Sequence, residues 1–213
     1  GDKKSARKAD PSIPQSLDLS VPPSLVVVPK SLVFNWKQEA TKFAPKLRVL
    51  DHTGHERGNI AEQLNDYDLI LTTYGTLRND AIEFKDVRFD YIILDEAQAI
   101  KNADTASSKA ARLLKGNHRL ALSGTPIENH LGELWSLFDF LNPGMLGSAS
   151  VFKLTGNSAR NPDDETRKLL SQALRPFILR RTKEQVAKDL PPKLEQTLFC
   201  ELEPAQRKLY DDL

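Results

Sequence analysis

Two adjacent carboxylates are the first residues in this sequence whose types and placement could do chemistry. Asp95 and Glu96 directly follow the hydrophobic run Tyr91–Leu94, and open α/β sheets bind ligands at the carboxyl ends of such strands. Hydrolysis of a nucleoside triphosphate needs a pair of this kind, because one carboxylate holds Mg²⁺, usually through water, and the other orients the attacking water. A solvated acidic dipeptide at a strand end is the alternative that this segment alone leaves open.

Five aliphatic runs predict the strands that would position these groups. They are Leu25–Val28, Leu47–Leu50, Leu69–Thr72, Tyr91–Leu94 and Leu120–Leu122. Runs that are apolar at every position are typical of strands buried on both faces of a parallel sheet. Helical stripes alternate with the runs, so the sequence predicts an α/β fold with a doubly wound, mainly parallel sheet.

The helical stripes carry their own start and stop signals. The first stripe spans Leu32 to Phe43 with Ser31 as its expected N-cap, and the second spans Ala106 to Leu114 with Gly116 as its expected end. The third and strongest stripe is Leu131–Leu141. Trp36 and Trp135 sit on these apolar stripes, so both are predicted to be core residues rather than platforms for stacked bases.

The pattern after Pro143 is helical, without a clear strand up to residue 190. The expected features are a shared face of Leu169, Leu170, Ala173 and Leu174, a capping box formed by Thr182 and Gln185, a strand over Leu198–Leu202, and Pro204 in the first turn of a helix. We therefore divide the chain into a flexible leader at 1–23, a sheet domain at 24–144, a helical appendage at 145–193 and a connecting segment at 194–213.

Composition excludes several classes of protein. The chain has 213 residues and a net charge of +1, so any nucleic-acid surface must come from local clustering of basic residues. No apolar run approaches the roughly 18 residues of a membrane span, and the N-terminus lacks the apolar stretch of a signal peptide. The single Cys200 excludes an intramolecular disulfide and a cysteine-based metal cluster.

Several blocks of sequence resemble the SWI/SNF-type family of superfamily two helicase-like, DNA-dependent ATPases. Asp95-Glu96-Ala97-Gln98 and Ser123-Gly124-Thr125-Pro126 are similar to the family's motifs II and III. Residues 25–36 resemble motif Ia, 71–74 motif Ib, 129–138 the continuation of motif III, and 175–183 with 190–193 a later block. The blocks stand in the family's order over residues 24–213. The resemblance implies a RecA-like lobe of an ATP-dependent double-stranded DNA translocase or remodeller.

The resemblance also implies a role for each motif. Asp95 would bind the Mg²⁺ of MgATP through water, Glu96 would activate water, and Gln98 would link the nucleotide to motif III. Ser123, Gly124 and Thr125 would couple hydrolysis to closure of the two lobes. The residues implied along the DNA backbone are Pro29, Lys30, Ser31, Thr72, Thr73 and Tyr74, whose hydroxyl and lysine side chains suit phosphate contacts. For Thr72 and Thr73, β-branched filling of a strand is the alternative.

The phosphate-binding loop GxxxxGK[ST], which holds the β- and γ-phosphates in such motors, does not occur in these 213 residues. We therefore expect a piece of the first lobe, inactive alone, whose partners are duplex DNA and the second lobe of the same parent chain. The strand that precedes such a loop is then also missing from the sheet, and its loss should expose apolar side chains. We expect residues 16–21, a partner chain or a rearranged strand order to cover them. A non-catalytic DNA- or protein-binding module of the same fold is the alternative. We expect a cytoplasmic, nucleoid-associated and bacterial protein.

Overall fold

A computed structural model describes most of the chain. The described residues are 21–55, 57–124, 131–147, 164–187, 189, 196–197 and 203–211. They fall into two units, one within residues 1–163 and the other within 164–213. In this part of the chain no helix is long and apolar enough to cross a membrane. The expected strands at 16–21 and 198–202 lie outside the described residues, apart from Val21.

The first unit contains a five-stranded sheet. Its strands are β1 (Ser24–Val28), β2 (Val49–Asp51), β3 (Leu69–Thr73), β4 (Arg88–Leu94) and β5 (Lys115–Ala121). All neighbouring pairs are parallel, in the order β2-β3-β1-β4-β5. The doubly wound α/β class predicted from the alternating runs is therefore confirmed.

Helices lie between these strands and after the last of them. They are α1 (Val33–Phe43), α2 (Ile60–Gln63), α3 (Tyr74–Asn79), α4 (Ala81–Phe84), α5 (Ala106–Leu113) and α6 (Leu131–Leu141). Short 3-10 turns lie at Lys30–Leu32, Leu64–Asp66 and Ala97–Ile100. The connection that leaves β1 runs to β2 at one edge of the sheet, and the connection that leaves β4 runs to β5 at the opposite edge. The connections therefore diverge between β1 and β4, which is where open α/β sheets form a ligand crevice.

Side chains of the central strand alternate between two cores. Leu25 and Val27 join the larger core, which includes Phe84, Phe89 and Ile92. On the opposite face, Val26, Val28 and Leu71 pack with Leu32, Val33 and Trp36. The expected burial of β1 on both faces is confirmed, and so is the core position of Trp36, since α1 covers this half of the sheet.

The last strand differs from its prediction. It begins at Lys115 rather than near Leu120, and Leu120 and Leu122 are 45% and 36% exposed instead of buried on both faces. Tyr91 on the neighbouring strand is 44% exposed and stacks on His118, with ring centroids 4.6 Å apart. Within the described residues, β5 has a strand on one side only, so half of its backbone and part of its apolar surface face outward.

Two predicted helix signals are wrong. Ser31 is not an N-cap, because Lys30–Leu32 forms a 3-10 turn and α1 begins after Leu32, which makes no side-chain capping bond. Gly116 does not end α5, because it lies inside β5. A Cβ at Gly116 would stand 2.6 Å from the Cδ1 atom of Ile92. The glycine is needed for close packing between two strands, and sequence spacing alone does not separate that role from a helix stop.

The second unit is helical where it is described. It contains α7 (Asp164–Leu174), a 3-10 turn at Arg175–Phe177, α8 (Lys183–Val186) and α9 (Pro204–Asp211). The Gln185 side chain accepts a hydrogen bond from the Thr182 N–H at 3.0 Å, which confirms one arm of the capping box. Pro204 opens α9 as predicted. The four residues predicted to share a face all lie on α7, where Leu174 is buried and Leu169 is 61% exposed.

Candidate active site

Asp95 and Glu96 lie at the carboxyl end of β4, beside the end of β1. The Asp95 N–H donates to the Val27 carbonyl at 2.9 Å, so the β1–β4 ladder extends to the first carboxylate. Glu96 has φ 48° and ψ 53° and is the one non-glycine residue with positive φ in the described part of the chain. Left-handed backbone is uncommon for such a residue and clusters at functional sites. The turn it makes leads directly into the Ala97–Ile100 helical turn.

Three further hydrogen bonds hold Asp95. Its Oδ1 atom accepts the Glu96 N–H at 2.9 Å, and its Oδ2 atom accepts the indole N–H of Trp36 at 2.8 Å. The Tyr74 hydroxyl donates to the Asp95 carbonyl at 2.7 Å. Burial, with a smaller contribution from the charges of Asp95 and Glu96, raises the pKa of Tyr74 above its ordinary value, so this hydroxyl stays a donor. The carboxylate of Asp95 is therefore held by its own turn and by α1, and its main chain by the start of α3.

A chain of side-chain hydrogen bonds joins the second carboxylate to the end of β5. The Gln98 amide nitrogen donates to Glu96 Oε2 at 2.7 Å, and the Ser123 hydroxyl donates to Gln98 Oε1 at 3.0 Å. One orientation of the Gln98 amide satisfies both bonds. A backbone bond of 2.8 Å from Ala97 to the Leu122 carbonyl runs beside them. The structure thus brings Glu96, Gln98 and Ser123 together; Gly124 follows and is exposed, and Thr125 lies outside the described residues.

The residues implied in DNA contact divide into exposed and enclosed ones. Lys30 and Ser31 are exposed on the turn after β1, and Pro29 precedes them. Thr72 is fully buried, and its hydroxyl donates to the His52 carbonyl at 2.9 Å. Thr73 caps α3 by accepting the Thr76 N–H at 3.1 Å, and the Tyr74 hydroxyl is engaged with Asp95 as described above. Contact with DNA stays a prediction for all of them. Their exposure suits Lys30 and Ser31 to such a contact better than the buried Thr72.

The carboxylates suit Mg²⁺ in their ligand chemistry. Within the described ranges, no group of three or more His, Cys, Asp and Glu residues could hold a metal by itself. Mg²⁺ is usually bound through one or two carboxylates together with waters and substrate phosphates, so a single well-placed carboxylate is enough protein ligation. Each Asp95 oxygen accepts one of the bonds above and keeps a further lone pair. The residues present therefore fit an ion held through water.

Sequence reasoning missed the polar role of Trp36. Its core position was expected, but the bond to Asp95 joins residues 59 positions apart. One signal was available, because the N–H of a buried indole usually finds a hydrogen-bond partner. The partner itself follows only from the sheet order, which sets β1 and α1 beside the end of β4.

Comparisons with known proteins show which family this chain resembles. The sequence profile of the SNF2-related domain matches residues 2–213. An uncharacterized ATP-dependent helicase of Mycoplasma pneumoniae is 44% identical over 192 residues, covering 89% of this chain and 18% of that protein. The human TATA-binding protein-associated factor 172 is 44% identical over 207 residues, covering 89% of this chain and 11% of that protein.

A solved structure shares both sequence and fold. The SWI2/SNF2 ATPase core of Sulfolobus solfataricus in complex with dsDNA is 46% identical, with a TM-score of 0.71, and covers 89% of this chain and 40% of that one. The chain thus spans 11% to 18% of the two relatives named above and less than half of the solved core. Because the family profile matches nearly every residue, the chain belongs to the SNF2-related domain family.

Proposed function

We propose that this chain is part of the first motor lobe of a SWI/SNF-type, ATP-dependent translocase or remodeller of double-stranded DNA. The observation that carries the proposal is the Ser123–Gln98–Glu96 chain of hydrogen bonds beside the fixed carboxylate of Asp95. Relatives named as ATP-dependent helicases, and a similar core solved with dsDNA, support the same function. A cytoplasmic, nucleoid-associated location goes with it as a prediction.

The residues divide the work of hydrolysis between them. Asp95 would hold Mg²⁺ through water, and the ion would offset the negative charge of the nucleotide phosphates. Glu96 orients the attacking water and takes up its proton, as a carboxylate next to the reacting phosphoryl group can. Gln98 donates to one oxygen of Glu96 and accepts from Ser123, so a shift of the Glu96 carboxylate would be transmitted to Ser123. Ser123, Gly124 and Thr125 would then couple this movement to the second lobe of the parent chain.

Contacts to DNA come from the turn after β1. Lys30 and Ser31 are exposed there, separated by Pro29 from β1, whose neighbour β4 ends at Leu94, one residue before Asp95. A lysine and a hydroxyl can bind phosphates without reading bases, which suits movement along any sequence. Pro29 shapes this turn by accepting the Leu32 N–H at 2.9 Å.

The test of catalysis uses the full-length protein and steady-state ATP hydrolysis at saturating duplex DNA. Glu96→Gln should lower the rate by about two to four orders of magnitude while nucleotide binding persists. Glu62→Gln, at an exposed position on α2, is the matched control and should hydrolyse at the wild-type rate. A Glu96→Gln protein as fast as the wild type would refute the role of Glu96. A wild-type protein that binds DNA without hydrolysing ATP would favour the non-catalytic module instead.

The DNA contact is tested by the salt dependence of binding. Lys30→Ala should weaken binding to unrelated duplexes equally and reduce the slope of log K against log [salt] by about one, since one phosphate contact is lost. Lys46→Ala replaces another exposed lysine in the loop after α1 and should leave the slope unchanged. Equal slopes for Lys30→Ala and the wild type would contradict the contact.

A further inference from the structure

Trp36 connects the turn after β1 to the candidate metal carboxylate. Its indole Nε1 atom donates to Asp95 Oδ2 at 2.8 Å. The segment between Lys30 and Trp36 is hydrogen-bonded throughout, because Leu32 donates to Pro29, Val33 donates to Lys30, and α1 follows directly. A displacement of the exposed Lys30 turn therefore moves the residue that holds the carboxylate oxygen.

A second connection reaches the same residue from the neighbouring strand. Tyr74 opens α3 immediately after Thr73, and its hydroxyl donates to the Asp95 carbonyl at 2.7 Å. Both segments implied in DNA contact thus end on Asp95, one on its side chain and one on its main chain. The main-chain bond fixes where the residue is, and the indole bond fixes which way its carboxylate points.

The chemistry of the indole suits a positioning role. Its N–H is a donor only and does not titrate near neutral pH, so the indole can meet Oδ2 only as a donor. It also occupies one lone pair of an oxygen whose other lone pair is open to water or metal-bound water. Residues that orient a metal-binding group in this way typically affect activity by about 10–100-fold when they are removed.

We propose that Trp36 is a positioning residue through which DNA engagement at the Lys30 turn orients the Asp95 carboxylate for hydrolysis. This proposal rests on the function proposed above. It assigns to Trp36 the coupling of DNA contact to catalysis within one lobe, separate from the Ser123–Gln98–Glu96 chain, which leads from the other carboxylate toward the end of β5.

The kinetic test compares two tryptophan variants in the full-length protein. Trp36→Phe keeps an aromatic ring in the α1 core, removes the N–H donor and makes the ring smaller. It should lower the stimulation of kcat by duplex DNA about 10–100-fold while the Kd for DNA changes less than twofold. Trp135→Phe removes an indole bond of the same kind, to the Gly147 carbonyl at 3.0 Å, and should keep wild-type stimulation. Full stimulation of Trp36→Phe would overturn the proposal, as would an equal loss in both variants.

A spectroscopic test examines the bond itself and does not depend on turnover. The 213-residue chain contains two tryptophans, so its spectrum of indole N–H groups has two resonances. The resonance that is lost in Trp135→Phe belongs to Trp135, and the other is therefore that of Trp36. Asp95→Asn should move the Trp36 resonance to higher field, because an amide oxygen is a weaker acceptor than a carboxylate, and should leave Trp135 unmoved. If the chemical shift of the Trp36 resonance is the same in Asp95→Asn as in the wild type, the proposal is overturned, even if Trp36→Phe fails to fold.

The two tests separate failure of this proposal from failure of the proposed function. A wild-type protein without DNA-stimulated hydrolysis would overturn both the function and the coupling, even with the expected indole shift. A stimulated wild type with an equally stimulated Trp36→Phe variant would overturn the coupling alone.

Discussion

Among individual residues, His52 is an ionisable group that folding places away from water and away from the carboxylate site. It is 1% exposed, its ring meets the edge of Phe84 at 5.5 Å between centroids, and its Nε2 atom lies 3.5 Å from Asp80 Oδ2. Arg57 already binds both Asp80 oxygens, at 2.5 and 2.7 Å, and this lowers the pKa of Asp80. Burial lowers the pKa of His52 below its ordinary value of 6.5, and Asp80 and Glu83 only partly oppose that effect while Arg57 adds to it.

The fold should therefore lose stability as the pH falls through about 6.5. Below that pH the unfolded chain binds a proton at His52 that the folded chain resists, and each unit of lowered pKa corresponds to about 1.4 kcal/mol. Urea unfolding of the chain between pH 5.5 and 7.5 measures this slope. His52→Leu should flatten it, whereas His55→Gln, at an exposed histidine of the same loop, should preserve it. An unchanged slope in His52→Leu would contradict the assignment.

Single residues were predictable from sequence where chemistry is read from type and local order. Asp95, Glu96, Gln98 and Ser123 were expected at the ends of apolar runs in recognisable blocks, and the structure brings them together, while their roles stay predictions. The bonds of Trp36 and Tyr74 to Asp95 were not, because they join residues 59 and 21 positions apart. Such pairs depend on strand order and on where a helix begins, and neither is encoded in a local pattern.

Among the elements, the strands were predictable and their ends were not. Each of the five aliphatic runs overlaps an observed strand, and in β1 the continuous apolar signal corresponds to burial on both faces. The start of β5 gives no such signal, because Lys115–His118 is polar and lies at an edge of the sheet within the described residues. Gly116 illustrates the difficulty, because a glycine after a helical stripe equally suits a helix end and a close approach between strands.

Packing of β5 on β4 should make Gly116 intolerant of a methyl group. A Cβ there would stand 2.6 Å from Cδ1 and 2.8 Å from Cγ1 of Ile92, which is itself fully buried. Gly116→Ala should cost about 1–3 kcal/mol through overpacking, and each kcal/mol lowers Tm by about 2–4 °C. Adding Ile92→Val removes the Cδ1 atom, so the double variant should be more stable than the two separate losses predict.

A helical glycine provides the control for this measurement. A Cβ at Gly75 on α3 would meet only the Thr73 hydroxyl oxygen, at 3.7 Å. Gly75→Ala should therefore be neutral or raise stability by up to about 1 kcal/mol, because alanine favours helix. Equal melting temperatures for Gly75→Ala and Gly116→Ala would show that the Ile92 side chain moves aside without loss of stability.

For the molecule as a whole, fold and nucleotide chemistry are separable. The sheet brings Asp95, Glu96, Gln98 and Ser123 together, yet the sequence contains no GxxxxGK[ST] loop. That loop supplies backbone amides and a lysine to the phosphates. Without it, two carboxylates add negative charge near a negative ligand, and an Mg²⁺ ion would offset only part of the repulsion. The arrangement that we propose for hydrolysis thus forms in a chain whose 213 residues lack this phosphate-binding loop.

The 213-residue chain should consequently show no useful affinity for MgATP at millimolar ligand, and no ATPase activity with or without DNA. A ligand at about one hundred times its Kd would stabilise the fold by roughly 2.7 kcal/mol. At about 2–4 °C per kcal/mol, real binding would raise Tm by about 5–11 °C. We expect a shift below about 1 °C in thermal melts with MgATP, and the same result for Asp95→Ala. A saturable rise of several degrees that Asp95→Ala abolishes would mean that this sheet assembles a nucleotide site without the phosphate-binding loop.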